Sequence, residues 1–239
     1  MNKFYTLILS ILTISLNLNA QITDLFFSEY SEGSGNNKYL EIYNGTSATI
    51  SLDNYAYPNT VNGVTTVGVY ESWNDFDPGA TIAPNSVYII AHNGADPSIL
   101  AVANELHYNL SNGDDGYALV YGSEPSSPTD PTTGGYTIID FIGNWQGDPG
   151  TGWDVAGVTD GTVDHTLVRK SSVTGGNTNW TTSAGTDATD SEWIVHPQNT
   201  WTYLGSHTVS ASCPDPTALT ATNLTSTSAD LGWTIGGSE

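Results

Sequence analysis

Positive charge is what this chain has least of. Four Lys and Arg stand against 25 Asp and Glu in 239 residues, a formal charge of −21. Binding DNA or RNA without sequence preference depends on Lys and Arg neutralising phosphates, so direct nucleic acid binding is not expected. The same charge repels anionic lipid surfaces and favours solubility. Cysteine is nearly absent. Cys213 stands alone, so no disulfide can form within the chain, and in an oxidising compartment a partner would have to lie elsewhere. No stretch beyond residue 20 is long and apolar enough for a membrane helix. Sustained helical periodicity is also missing. The nearest approach is Asp96–Leu106, where Ile99, Val102, Ala103 and Leu106 share a helical face behind Pro97, and one short helix is expected there. The sequence has no HExxH, no GxSxG, no phosphate-binding loop and no EF-hand spacing. Its five histidines show no zinc-like spacing.

What is there is turn chemistry between short alternating runs. The N-terminus reads as a secretory signal: Lys3, the apolar run Phe4–Leu16, then Ala20 at the expected cut, with Leu18 bulkier than usual two positions before it. Cleavage there would leave a secreted chain with three cations, Lys38, Arg169 and Lys170, against 25 acids. In Tyr39–Tyr43, Leu40 and Ile42 fall on one face and Tyr39, Glu41 and Tyr43 on the other. Leu25–Tyr30 reads as the strand before it, and residues 48–57 as a third. Further strands are expected over 61–70, 86–92, 116–122, 136–142, 163–170 and 201–210, with Ser123–Gly135 a loop. This spacing predicts an all-β, immunoglobulin-like β-sandwich with long loops. Its core is expected to hold Leu40, Ile42, Val87, Ile89, Leu119, Ile139, Phe141 and Leu167.

The segments FFSEY, NNKYLEIYNGT and ISLDNYAY resemble the opening of the bacterial secreted lamin-tail domain, the type attached to extracellular nucleases and phosphodiesterases. TIAPNSVYIIAHNGAD, SNGDDGYALVYG, IIDFIGNWQGDPGTGW, DHTLVRKSSVTGGNTNW and SEWIVHPQNTWTYLGSHT continue that likeness in order. The resemblance implies a non-catalytic module over residues 21–209, in which Glu29 and Glu41 belong to a structural motif. Residues 213–239 resemble the first strands of a fibronectin type III domain, carried by Pro214, Pro216, Leu219, Leu224, the Ser226–Ala229 turn, Leu231 and Trp233, which implies a linker at 210–216 and a truncated domain over 217–239. The parent would then be a longer secreted protein. The reading implied for the chain is an accessory module that tethers, spaces or binds an extracellular or cell-surface protein or glycan. The alternatives are the N-terminal part of a secreted nuclease or phosphoesterase, and a carbohydrate-binding module.

Four constellations are weighed for chemistry. Glu29 and Glu41 lie on adjacent strands and could pair as catalytic carboxylates do; backbone or Lys38 hydrogen bonds are the favoured reading. Asp114 and Asp115 beside Asn112 offer oxygens to calcium, but a turn explains them without a metal, and no cofactor is expected. Trp145 and Trp153 in a Gly-rich loop, with Trp73 and Tyr70, suit stacking on sugar rings, against the reading that they close the sandwich end. Asp164 and His165 look like a catalytic fragment at a strand entry, where a structural contact is favoured. Arg169 and Lys170 are expected to hold loop carboxylates.

Overall fold

The computed structural model describes residues 24–210, 217–223, 225 and 228–234. The signal segment, Cys213 and most of the linker lie outside the described residues. The chain divides into two compact units, one of which is residues 21–211.

In that unit β1 (Leu25–Glu32) and β2 (Lys38–Asn44) form the hairpin expected from the alternation. A six-stranded sheet grows around it from β6 (Ser86–His92), β7 (Glu105–His107), β10 (His165–Arg169) and β11 (Trp193–Pro197), in the order β11-β10-β1-β2-β6-β7. Its pairs are antiparallel except β6 with β7. A second sheet is built from β4 (Tyr55–Ala56), β8 (Tyr117–Tyr121) and β9 (Thr137–Ile142), in the order β4-β8-β9. Two short strands, β3 (Ile50–Ser51) and β5 (Thr81–Ile82), pair beside them. The main core lies between the two larger sheets, with Leu40, Ile42, Tyr88, Ile90 and Leu167 from one and Tyr117, Leu119, Phe141 and Ile142 from the other. This unit is thus an all-β, immunoglobulin-like sandwich.

The sheet's far side is covered as well. Ile89 and Ala91 pack there with Tyr39 and Ile99, and Val87, Trp201 and Leu204 lie against them. This corrects the expected core: Val87 and Ile89 face this second layer, and Tyr88 and Ile90 take their places inside. Strands covered on both faces carry apolar side chains on both, so alternation alone does not say which face is the main core. Ile139 is half-buried against the main core. Leu25, Phe27 and Tyr30 all reach the main core, which strict alternation forbids. A β-bulge between Phe27 and Glu29 adds one residue and restores the phase.

Other elements depart from expectation for local reasons. The helix α1 is only Pro97–Leu100, capped by Asp96, whose carboxylate accepts from Ser98 N at 2.9 Å. Val102 and Leu106 are exposed. Asn104 stops the helix by bonding β6 twice: its N–H donates to Ile89 O and its side-chain oxygen accepts from Ile89 N, each at 2.9 Å. Glu105–His107 then pairs in parallel with Ile90–His92. An isolated helix of eleven residues is marginal in water, and a sheet edge with ready partners outcompetes it.

Two further helical turns appear where none was expected, α2 (Pro131–Gly134) and α3 (Trp180–Ala184), capped by Asp130 and Asn179. Residues 61–70 form no strand. Glu71 gathers that segment into a loop by accepting from Val61 N and Thr65 N at 2.8 and 2.9 Å. The third strand splits at a turn closed by Tyr55 N donating to Leu52 O, so its halves join different sheets. Residues 201–210 are not a strand either; they cross the sheet's far side.

In the other unit, β12 (Thr217–Thr222) and β13 (Asp230–Thr234) form one antiparallel hairpin, with Ala221 opposite Leu231. Leu231 is exposed.

Candidate functional site

The bulge in β1 turns both Ser28 and Glu29 toward Glu41, which sits opposite Glu29 in register. Both carboxylates are buried. Tyr39 donates its hydroxyl to Glu29 in a short hydrogen bond. Glu41 accepts from Ser28 Oγ at 2.6 Å and from Gly205 N at 2.7 Å. Burial pushes the Glu29 carboxyl up to about 8, and the neighbouring Glu41 charge adds to the rise against the Tyr39 hydrogen bond. Burial also raises Glu41, against its two donors. A raised carboxyl beside a second one is an acid–base signature, but a reaction needs room for a substrate. Here the crossing segment closes the space: Gly205 bonds Glu41 directly, and His207 packs edge-on against Phe26 and Tyr43 at 5.7 and 5.0 Å. The pair ties the crossing segment to the sheet. Lys38, expected as a partner, turns away to Asn112 Oδ1 at 2.8 Å and Glu32 at 3.6 Å.

A second charged centre forms around Arg169 and Asp140. Arg169 on β10 is buried, and its guanidinium meets Asp140 of β9 at 3.1 Å and Glu192 at 2.7 Å. It lies 4.5 Å from the Trp193 ring centroid. Asp140, fully buried, also accepts from Phe27 N at 2.9 Å and Asn177 N at 2.8 Å. Burial raises its carboxyl against the pull of Arg169. Ser183 and Asn177 donate to the two Glu192 oxygens at 2.9 Å each. Arg169 was expected to hold loop carboxylates; it holds one, Glu192 ahead of β11, together with Asp140, a strand carboxylate across the sandwich. Lys170 donates to the carbonyls of Ala188 and Thr189 and holds no carboxylate among the described residues.

Asp164 and His165 do not touch each other as expected. Asp164 takes up a short hydrogen bond from Gln198, and its N–H donates to Glu32 at 2.7 Å, while His165 Nδ1 pairs with Val163 O at 2.6 Å. Asp164 has a φ of 56°, a left-handed turn at the strand entry. Of the aromatic group, Tyr70 and Trp145 are buried, and Trp145 Nε1 donates to Gly116 O at 3.0 Å. Tyr70, Trp73 and Tyr136 form one cluster with centroids 5.2 to 6.0 Å apart. Trp153 lies outside it, half-buried against Gly143. That glycine has a φ of 72°, and a Cβ there would lie 2.5 Å from Trp153 Nε1. The four rings therefore present no common platform: two are interior, and Trp73 spends its N–H on Asp75 at 2.7 Å.

Asp115 is buried and accepts from Asn62 N at 2.8 Å. The Asn62 amide, with its nitrogen toward Asp114, donates to both Asp114 oxygens at 3.1 and 3.3 Å. Burial raises both carboxyls. Among the described residues no three His, Cys, Asp or Glu side chains gather as a metal would require. Millimolar calcium should therefore leave the melting temperature unchanged, since a ligand binding only the folded state would raise it. A rise abolished by the double substitution Asp114→Asn, Asp115→Asn would restore calcium to this loop.

One concavity escaped the sequence reading. It measures about 430 Å³ and is lined by Asn36, Lys38, Val61, His92, Tyr108, Asn109, Leu110, Asn112 and Asp115. It draws on the β1–β2 turn, the end of β6 and the segment after β7. The sole local signal was the amide-rich run His107–Asn112 following a strand edge.

Among the described residues no helix is long and apolar enough to cross a membrane. No curated protein and no solved structure matches the chain. The hairpin, the bulged carboxylate pair and the first strands of both sheets lie within one recognisable segment: residues 19–128 match the family model of the Lamin Tail Domain.

Proposed function

We propose that the chain is a non-catalytic accessory module of a larger secreted protein, which tethers, spaces or presents a neighbouring domain or binds an extracellular or cell-surface partner. The observation that carries this reading is the commitment of its charged side chains to the fold. Glu29, Glu41, Asp140 and Glu192 each accept hydrogen bonds that join separate elements of the sandwich. Groups held in this way position structure, and none of these four carboxylates lines the open cleft described above. The lamin-tail match supports the same reading for residues 19–128. The hairpin at 217–234 is proposed as the start of a fibronectin type III domain, and the N-terminal segment as the export signal.

Nucleic acid is not among the proposed partners. All three cations of the described residues have intramolecular partners: Lys38 with Asn112 and Glu32, Arg169 with Asp140 and Glu192, Lys170 with two backbone carbonyls. Releasing any of them for a phosphate would break a native contact, and several such contacts are needed for useful affinity. Labelled single- and double-stranded DNA titrated at low salt, where attraction is least screened, should show no binding at micromolar protein in chelator. Micromolar binding in chelator would overturn the claim. Binding that needs calcium or magnesium would instead favour a piece of a nuclease.

A further inference from the structure

We propose that the cleft between the β1–β2 turn and residues 108–115 binds a neutral saccharide. Its volume, about 430 Å³, is in the range of small-ligand sites. What distinguishes it is the state of its polar groups. The side-chain amides of Asn36 and Asn109, the Tyr108 hydroxyl and the Asn112 side-chain nitrogen, all in one cleft, have no hydrogen-bond partner among the described residues. Asn36, Tyr108, Asn109 and Asn112 are exposed, Tyr108 to 75%. A single aromatic ring held out at the edge of a polar concavity, beside a strand end, has no packing role to explain it.

The floor is different. Lys38 and Asp115 are buried and already oriented, Lys38 by Asn112 and Glu32 and Asp115 by Asn62 N. The cleft thus has an ordered base, with one cation between two carboxylates, and a rim of amides with unpaired donors or acceptors. Sugar hydroxyls donate and accept at once. Amides meet both needs, the ammonium donates, the carboxylate accepts, and the apolar face of a pyranose can lie on the Tyr108 ring. The electrostatics choose among ligands. An anion would meet Asp115 and a lysine already paired with Glu32, within a strongly acidic protein. A metal would find only one carboxylate in the lining, that of Asp115. A neutral polyol incurs neither penalty. This proposal goes beyond the accessory role and does not depend on the aromatic cluster around Trp73.

The test is calorimetric titration of the full chain with neutral hexaoses of glucose, xylose, mannose and N-acetylglucosamine. At least one should saturate with a Kd below about 1 mM, the weak end of specific binding. Tyr108→Ala should weaken it by about tenfold or more, Asn109→Ala and Asn112→Ala by smaller factors, and Trp73→Ala should leave it unchanged. Tyr108 is too exposed for its loss to unfold the chain, and an unaltered melting temperature would verify this. The proposal is overturned if no sugar in the panel saturates, if Tyr108→Ala and Asn109→Ala bind as the parent does, or if Trp73→Ala is the substitution that abolishes binding.

Discussion

Replacing Arg169 with Met should destabilise the sandwich by about 3–5 kcal/mol, the usual consequence of removing one partner from a buried ion pair. The guanidinium joins β10 to Asp140 on the opposite sheet and to Glu192 ahead of β11. Asp140 in turn holds Phe27 N, beyond the point where the β1–β10 ladder ends at Glu29. Without Arg169, a fully buried carboxylate must be neutralised or left uncompensated. Against a typical domain stability of about 5–15 kcal/mol, that loss is large. Asp140→Asn should cost a similar amount, because Arg169 then keeps only Glu192. Combining Arg169→Met with Asp140→Leu should cost less than the two single changes added together, since the double variant leaves no fully buried unpaired charge, and Glu192 keeps its Ser183 and Asn177 donors. Urea denaturation at neutral pH of Arg169→Met, Asp140→Asn, Asp140→Leu and the double variant measures these effects. A single substitution costing under about 1 kcal/mol would show that the pair is dispensable, because surface pairs contribute no more than that.

Raising the pH from 5 to 9 should weaken the fold, and Glu29→Gln should abolish most of that weakening. The folded carboxyl of Glu29 titrates near 8 against an ordinary 4.5, so the folded state binds the extra proton between those values. Stability from this group is complete below about 4.5 and is lost as pH rises through 8. At about 1.4 kcal/mol per unit, the loss reaches up to about 5 kcal/mol. The amide of the Glu29→Gln variant would keep an acceptor for the Tyr39 hydroxyl without a charge to bury. That variant should melt higher than the parent at pH 9, by at least about 5 °C, and close to it at pH 5. His207, on the same covered face, acts in the opposite sense. Burial, with repulsion from Arg169, lowers its ring to about 4, so the unfolded state binds the extra proton as pH falls from 6.5. Stability should therefore peak in mildly acidic solution. A parent protein whose stability changes between pH 5 and 9 just as that of the Glu29→Gln variant does would show that Glu29 is ionised in the fold.

The two predictions concern residues that the sequence treated unequally. Glu29 and Glu41 stood out because they interrupt apolar strands, and a hairpin joining adjacent segments was bound to bring them close. Their partners did not stand out. Tyr39 is local, but Gly205 comes from 164 residues further along the chain. Asp140 drew no notice, and Arg169 was matched with loop carboxylates, which fits Glu192 but misses Asp140, because a charge in a strand carries no periodic signal that names its partner.

Fold class, the β1–β2 hairpin and the strands β6, β8, β9 and β10 were legible because alternation and turn residues are local properties, written within about ten residues of each other. Tertiary structure decided the rest. The bulge at Ser28 resets the phase of β1, Asn104 converts an apparent helix into a sheet edge, and residues 201–210 bury a face that alternation would leave to solvent. It also gathers Asn36, Lys38, His92, Tyr108 and Asn112 around one cleft. The physical reason is common to all four. Each depends on which distant backbone or side-chain group satisfies a polar atom or covers an apolar one, and that choice is settled only when the sheets pack.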